Sequence, residues 1–249
     1  MQKDKLLIVG HRGAAGHSPE NTMAGFRKAI EFGVDMVELD VHLTNDGVVV
    51  VHHDNSLDRT TSGKGEIKSH KWDHINKLDA GSSFSRHFKN ESVPALEDVI
   101  KLCKDRVEVL IEIKEGREVY PEIEDRIIEL IKKHNAEKWC IVQSFRDDVI
   151  FRINRIAPDI RLQKLLVRKM CCLPVIFDSG ITLFPFRKYH FVESFNILYK
   201  YASKHFVQQV HKQNKKVMVW TVNEPEDIVK MKTLGVDGII SDFPDRCFN

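Results

Sequence analysis

The sequence predicts an α/β fold: a closed (β/α)8 TIM barrel with a small insertion after its second βα region. Three observations carry this. Short apolar runs alternate with amphipathic segments along the chain, which implies parallel strands joined by helices. About eight such units fit into 249 residues, the usual length of a closed barrel. No glycine-rich fingerprint follows the first apolar run, which argues against an open, doubly wound dinucleotide sheet.

The elements follow in order. Leu6–Gly10 reads as the first strand. Glu20–Phe32 reads as a helix because Met23, Phe26, Ala29, Ile30 and Phe32 fall near a 3.6 period, and Gly33 ends it. Asn21 and Thr22 stand at its start as capping groups. Val34–Val41 and Val48–His53 read as strands around an Asn45-Asp46-Gly47 turn. Residues 55–92 match neither period and read as a small inserted subdomain. Helices are expected at Ala95–Lys104, Glu118–His134, Asp147–Ile156, Ala202–Gln213 and Pro225–Leu234. Strands are expected at Val107–Ile113, Cys140–Gln143, Arg161–Val167, Phe195–Tyr199, Lys216–Val222 and Gly238–Ser241. Residues 168–195 give no clear period. Helix, Gly-Val-Asp, strand and acid recur in Ala29–Asp40 and Met231–Asp242, as barrel repetition would produce. The whole chain, 1–249, reads as one domain.

Composition narrows the function. There are 38 Lys plus Arg against 36 Asp plus Glu, a net charge of +2. This excludes a polybasic nucleic-acid binder, and an anionic ligand must then be met by a local site. Hydrophobic residues at 42% and charged residues at 30% exclude a disordered chain. The five cysteines, at 103, 140, 171, 172 and 247, form no Cys-x-x-Cys pair, which suits a reducing compartment. The apolar run after the N-terminal charges is too short for a signal peptide, and no stretch approaches the roughly 20 apolar residues of a membrane span. A cytoplasmic monomer or homodimer without membrane insertion is the expectation.

The chemistry collects at strand ends. His11 and Arg12 follow the first strand, Glu38 and Asp40 close the next, His53 and Asp54 end the valine run, and Glu112 and Lys114 close the Val107 strand. In a barrel the C-terminal strand ends share the face where active sites are built. Glu38 and Asp40 are two apart, so both carboxylates point to one side and repel each other unless a cation lies between them. Glu112 offers a third oxygen ligand, or equally pairs with Lys114. An all-oxygen set suits Mg²⁺, Ca²⁺ or Mn²⁺. Arg12 and Lys114 are candidate contacts for an anionic substrate. Trp220 reads equally as a pocket wall and as a core residue. His42 is placed past its strand end, in a loop. Leu183–Phe191 mixes aromatics with Arg187 and Lys188; a packed barrel segment is preferred there over a lipid contact.

His11-Arg12-Gly13, Pro19-Glu20-Asn21-Thr22, Glu38-Leu-Asp40, Thr44-x-Asp46-Gly47, His53-Asp54 and Leu57-Asp58-Arg59-Thr60-Thr61 together resemble the glycerophosphodiester phosphodiesterase family in order and spacing. Ile111-Glu112-Ile-Lys114, Trp220-Thr221-Val222-Asn223 and the closing Gly235–Asp242 segment resemble it too. The resemblance implies hydrolysis of a small glycerophosphodiester to sn-glycerol 3-phosphate and an alcohol. It implies that His11 and His53 act as acid and base, that Glu38, Asp40 and Glu112 hold one divalent cation, Ca²⁺ or Mg²⁺, and that residues 55–92 lie over the barrel mouth. The alternative is a relative that cleaves or cyclises lysophospholipid headgroups at a membrane. A non-catalytic headgroup-binding module would not need both histidines.

Overall fold

A computed structural model describes residues 5–166 and 186–248. Its strands are β1 (Leu7–Gly10), β2 (Met36–Leu43), β3 (Val49–Val51), β4 (Glu108–Ile113), β5 (Cys140–Ser144), β6 (Arg161–Leu166), β7 (Ser194–Leu198), β8 (Lys216–Trp220) and β9 (Gly238–Ser241). The α-helices are α1 (Met23–Phe32), α2 (Trp72–Ile75), α3 (Leu96–Cys103), α4 (Ile123–Lys133), α5 (Asp147–Ile156), α6 (Lys204–His211) and α7 (Pro225–Leu234). Parallel pairing runs β1-β9-β8-β7-β6-β5-β4-β2, and β2 pairs with β1 to close the ring. The result is an eight-stranded parallel barrel with helices between strands. Among the described residues no helix is long and apolar enough to cross a membrane.

The strand β3 departs from the sequence expectation. It is not a barrel strand but an antiparallel partner of β2, with Val41 opposite Val51 and Leu43 opposite Val49. The strand β2 therefore extends above the barrel rim and β3 returns toward it. His53 reaches the mouth as the end of this hairpin, not of a barrel stave. The longer β2 also makes His42 a strand residue on the same side as Glu38 and Asp40, not a loop residue.

The first helix starts later than its periodicity suggests. Asn21 has φ 56°, outside helical geometry, and Thr22 is the N-cap, its hydroxyl accepting from the Gly25 amide. Of the unperiodic stretch 168–195, residues 168–185 lie outside the described residues. Phe186–Tyr189 forms a short 3₁₀ turn. There Lys188 and the Tyr189 hydroxyl both bond Asp147 at the start of α5, so this part of Leu183–Phe191 packs on the barrel.

Residues 55–92 carry two 3₁₀ turns and α2 around a small core of their own, in which Leu57, Ile67, Ile75 and Ala80 pack with Val50 and Val93. The main core lies between the staves and the helices. A separate cluster of Val9, Met36, Leu110, Ile141, Met218 and Ile240 fills the barrel interior. Side chains alternate along a strand, so the residues two positions further on face the same interior at the C-terminal mouth. They are His11, Glu38, Glu112, Gln143, Trp220 and Asp242. One apolar layer is thus the floor of one polar layer.

The turn after β1 fixes where that polar layer begins. Arg12 has φ 49° and Gly13 φ 88°, and a Cβ at Gly13 would lie 2.6 Å from the Gly25 carbonyl carbon of α1. Only glycine combines that backbone with that approach. Gly13→Ala is expected to cost about 1–3 kcal/mol, lowering Tm by about 2–4 °C per kcal/mol in a chain of this size. An unchanged Tm in thermal denaturation would contradict this account of the turn.

Candidate active site

A cavity of about 220 Å³ opens at the C-terminal ends of the staves. One half is charged, lined by His11, Arg12, Glu38, His53, Glu112 and Lys114; the other is largely apolar, with Phe145, Leu165, Trp220 and Ile240. Phe145 meets the Trp220 ring edge-on at 5.6 Å. Asp40 lies beneath the charged half, fully buried.

Glu38, Asp40 and Glu112 are all buried, and one carboxylate oxygen from each lies within 4.8 Å of the others. Lys114 Nζ sits 2.8 Å from both Asp40 Oδ1 and Glu112 Oε1, and Arg12 Nε lies 3.3 Å from Asp40 Oδ2. Both oxygens of Glu38 are held, Oε2 by the Arg12 amide at 3.0 Å and Oε1 by Gln143 Nε2 at 3.4 Å. The charges are not balanced. Burial pushes Asp40 up, but Lys114, Arg12 and His53 outweigh it and hold Asp40 well below the usual carboxylate range. Burial and the neighbouring Asp40 charge raise Glu38 and push Glu112 up to about 8. Such crowding in a buried, oxygen-only donor set fits a hard divalent cation, which would return all three groups to their ionised form.

Each mouth histidine has its own carboxylate. His11 Nδ1 lies 2.6 Å from Asp242 Oδ1, and His53 Nδ1 lies 2.6 Å from Asp54 Oδ1. An ionised carboxylate only accepts, so each Nδ1 carries the proton and each Nε2 is left for other chemistry. The two rings are pushed apart. Burial alone would lower His11, but the bond to Asp242 and the Glu38 charge outweigh it and raise it. Burial lowers His53, and the Lys114 and Arg12 charges add to this against the pull of Asp40.

Several residues of the site lie within the quoted motifs, but their sequence pattern assigns them no role in the site. Asp242 holds His11 and is itself held by Asn223 Nδ2 at 2.7 Å. Asn21 is not a helix cap; its amide donates to Asp40 Oδ2 at 2.8 Å and its carbonyl accepts from the Asp40 amide at 3.3 Å. Arg59 clamps two carboxylates at once, bonding both oxygens of Asp54 and both of Glu20, while Glu20 also accepts from Arg12 NH1 at 2.9 Å. An unbroken series of charge pairs therefore links His53, Asp54, Arg59, Glu20, Arg12 and Asp40. Period-two spacing from Ile141 and Ile240 was the signal available for Gln143 and Asp242. Arg59 and Glu20 are 39 residues apart, and no local pattern joins them.

The sequence profile of the glycerophosphoryl diester phosphodiesterase family matches residues 11–246. A glycerophosphodiester phosphodiesterase from Caldanaerobacter subterraneus subsp. tengcongensis is 38% identical over 246 residues, 98% of this chain and 97% of the relative. One from Bacillus altitudinis is 36% identical, covering 96% of this chain and 95% of the relative. An Oleispira antarctica phosphodiesterase solved with the product sn-glycerol-3-phosphate superposes with a TM-score of 0.85 at 25% identity, covering 97% of this chain and 95% of that one. By this profile match, and by identity to relatives over nearly the whole length, the chain belongs to the glycerophosphoryl diester phosphodiesterase family and is a phosphoric diester hydrolase.

Proposed function

We propose that this cavity hydrolyses glycerophosphodiesters to sn-glycerol 3-phosphate and an alcohol, with His53 as the base and His11 as the acid. The observation that carries this division is that two carboxylate-oriented histidines line one cavity with the acid cluster, and their surroundings raise His11 and lower His53. The relatives' names and the product held by the Oleispira enzyme support a glycerophosphodiester over a lysophospholipid substrate.

Glu38, Asp40 and Glu112 would hold one Ca²⁺ or Mg²⁺, which when bound neutralises phosphoryl oxygens and polarises the phosphorus. Arg12 and Lys114 line the same cavity and spread the remaining charge over the phosphoryl group. The opposite wall, Phe145 and Trp220, presents rings to the carbon skeleton. Among the described residues the cavity lining includes no Ser or Cys, and we assign the attacking oxygen to the substrate. The glycerol C2 hydroxyl is adjacent to the esterified carbon, and intramolecular attack can reach effective molarities of about 10⁵–10⁸ M. His53 Nε2 takes that hydroxyl's proton, the C2 oxygen bonds to phosphorus, and the bond from phosphorus to the alcohol oxygen breaks. His11 Nε2 gives its proton to the departing alkoxide. Water then opens the cyclic glycerol phosphate with the two histidines reversed.

A second cavity, about 230 Å³, is lined by Ala15 and Pro19, by Glu20 and Arg59, and by Thr60, Ala80, Ser83 and Phe84. The charge pairs lie between the two cavities, since Arg12 and His53 line one and Glu20 and Arg59 the other. We assign the second cavity to the alcohol, with residues 55–92 as the wall that selects it. The Phe84 ring stands 46% exposed, free to contact a ligand.

Four outcomes follow. Glycerol 3-phosphate should be released from glycerophosphocholine or glycerophosphoethanolamine by the purified protein, and lost on exhaustive chelation. His11→Ala and His53→Ala should each remove about 10²–10⁴-fold of kcat without unfolding the chain; near-normal turnover in either sinks the assignment. The pH profile of kcat/KM should be a bell. Activity needs His53 neutral and His11 protonated, so the acid limb follows His53 from below 6.5 and the alkaline limb follows His11 above 6.5. Asp242→Asn removes the larger of the two influences that raise His11 and should move only the alkaline limb, downward; a shift of the acid limb instead would reverse the roles. Last, Phe84→Ala should change the ratio of kcat/KM between two alcohols by about tenfold, and an unchanged ratio would detach residues 55–92 from alcohol choice.

A further inference from the structure

Two buried histidines stand next to His53 without facing the cavity. His42, on β2, and His52, at the end of β3, are 1% and 3% exposed. Each ring nitrogen of each histidine has a partner. His42 Nε2 lies 3.1 Å from the backbone carbonyl oxygen of His53, and its Nδ1 lies 3.1 Å from the Tyr120 hydroxyl. His52 Nδ1 lies 2.8 Å from the backbone carbonyl oxygen of Asp54, and its Nε2 lies 2.9 Å from the Thr60 hydroxyl.

These contacts fix the tautomers. A carbonyl oxygen only accepts, so the nitrogen facing it must carry the proton. His42 is then protonated at Nε2 and His52 at Nδ1. The second nitrogen of each neutral ring is bare, and a hydroxyl, which can donate, stands opposite it in both cases. The two rings are thus mirror arrangements, each donating to one carbonyl of the consecutive pair His53 and Asp54.

We propose that His42 and His52 are positioning residues that clamp the His53–Asp54 backbone, and that Tyr120 and Thr60 lock the ring tautomers the clamp requires. The two carbonyls held are those of the base and of the carboxylate that orients it. The segment is already tied at one more point, the His52 amide donating to the Asp40 carbonyl at 2.9 Å. The side chain of Asp54 is held from the other direction by Arg59 at 2.6 Å. Without the clamp, Asp54 and Arg59 would still hold the His53 ring, but on a backbone whose two carbonyls are no longer fixed. Proton transfer is steep in geometry, and a misplacement of about 1 Å can cost about 10²-fold. Binding of the phosphate by Arg12 and Lys114 does not pass through these rings, so the loss belongs in kcat.

This inference rests on His53 being the base, and its test separates the two. The side chains allow a matched set of variants. Glutamine places an amide N–H near the Nε2 position of histidine, and asparagine near Nδ1. In the metal-loaded protein, His42→Leu and His52→Leu should each lower kcat by about 10–100-fold at nearly constant KM. His42→Gln and His52→Asn should recover most of that loss, whereas His42→Asn and His52→Gln should not. If a leucine variant does not fold, Tyr120→Phe and Thr60→Val test the same clamp through its tautomer locks, with a smaller fall in kcat. Long-range ¹H–¹⁵N correlation spectra of histidine-labelled protein should show His42 bare at Nδ1 and His52 bare at Nε2. The opposite tautomers, or folded leucine or lock variants whose kcat stays within about twofold of the parent, overturn the clamp. That result beside an inactive His53→Ala removes only the clamp; an active His53→Ala removes the base itself.

Discussion

Three buried carboxyl groups that resist ionising together are the constraint around which this barrel mouth is built. Glu38, Asp40 and Glu112 are buried with oxygens less than 5 Å apart (4.8 Å at most). Burying one unpaired carboxylate is already costly, and three would displace the fold toward any arrangement that separates them. Lys114 spans Asp40 and Glu112, and Arg12 reaches Asp40 from the side. The remaining deficit appears as the raised pKa of Glu112. A donor set of this kind is short of positive charge, and a hard divalent cation fits it.

The constraint propagates outward by shared partners. Arg12 serves Asp40 on one side and Glu20 on the other. Glu20 passes the interaction to Arg59, and Arg59 to Asp54, which orients His53. The aim of His53 and the placement of residues 55–92 are therefore not independent of the three-acid cluster. Isolated surface ion pairs contribute little, and Arg59 itself is exposed, but the carboxylates it joins are partly buried and shared, so removing one link leaves its neighbours unpaired. The opposite histidine is set differently. His11 depends on Asp242 and Asn223 from the far side of the ring, where β9 closes against β1. Separate supports let one histidine rise and the other fall in proton affinity within one cavity.

Much of this was legible in the sequence, and the reason is the pleat. Val9, Met36, Leu110 and their counterparts form the barrel floor, and the residue two further on is presented to the mouth. His11, Glu38 and Glu112 could be found that way because strand alternation is local. His53 was placed at the mouth by treating its valine run as a stave. The location is the same, but a hairpin delivers it, and sequence alone does not distinguish a stave from a returning strand when both are short and apolar. Asn21 reads as a cap because it precedes Thr22, and only its positive φ turns its amide to Asp40 instead. Arg59 and Glu20, or Asp242 and His11, meet across the fold, and nothing in either segment announces the other.

The most direct test of the account is calorimetric titration of the metal-free protein with Ca²⁺ and with Mg²⁺, in buffers of different ionisation enthalpy. If three crowded carboxyls make the site, one ion binds, a proton is released on binding, and affinity rises with pH until Glu112 is ionised, near 8. Glu112→Gln should abolish the proton release. Binding without proton release, with an affinity that neither pH nor Glu112→Gln changes, would contradict the claim that this carboxyl cluster is the cation site.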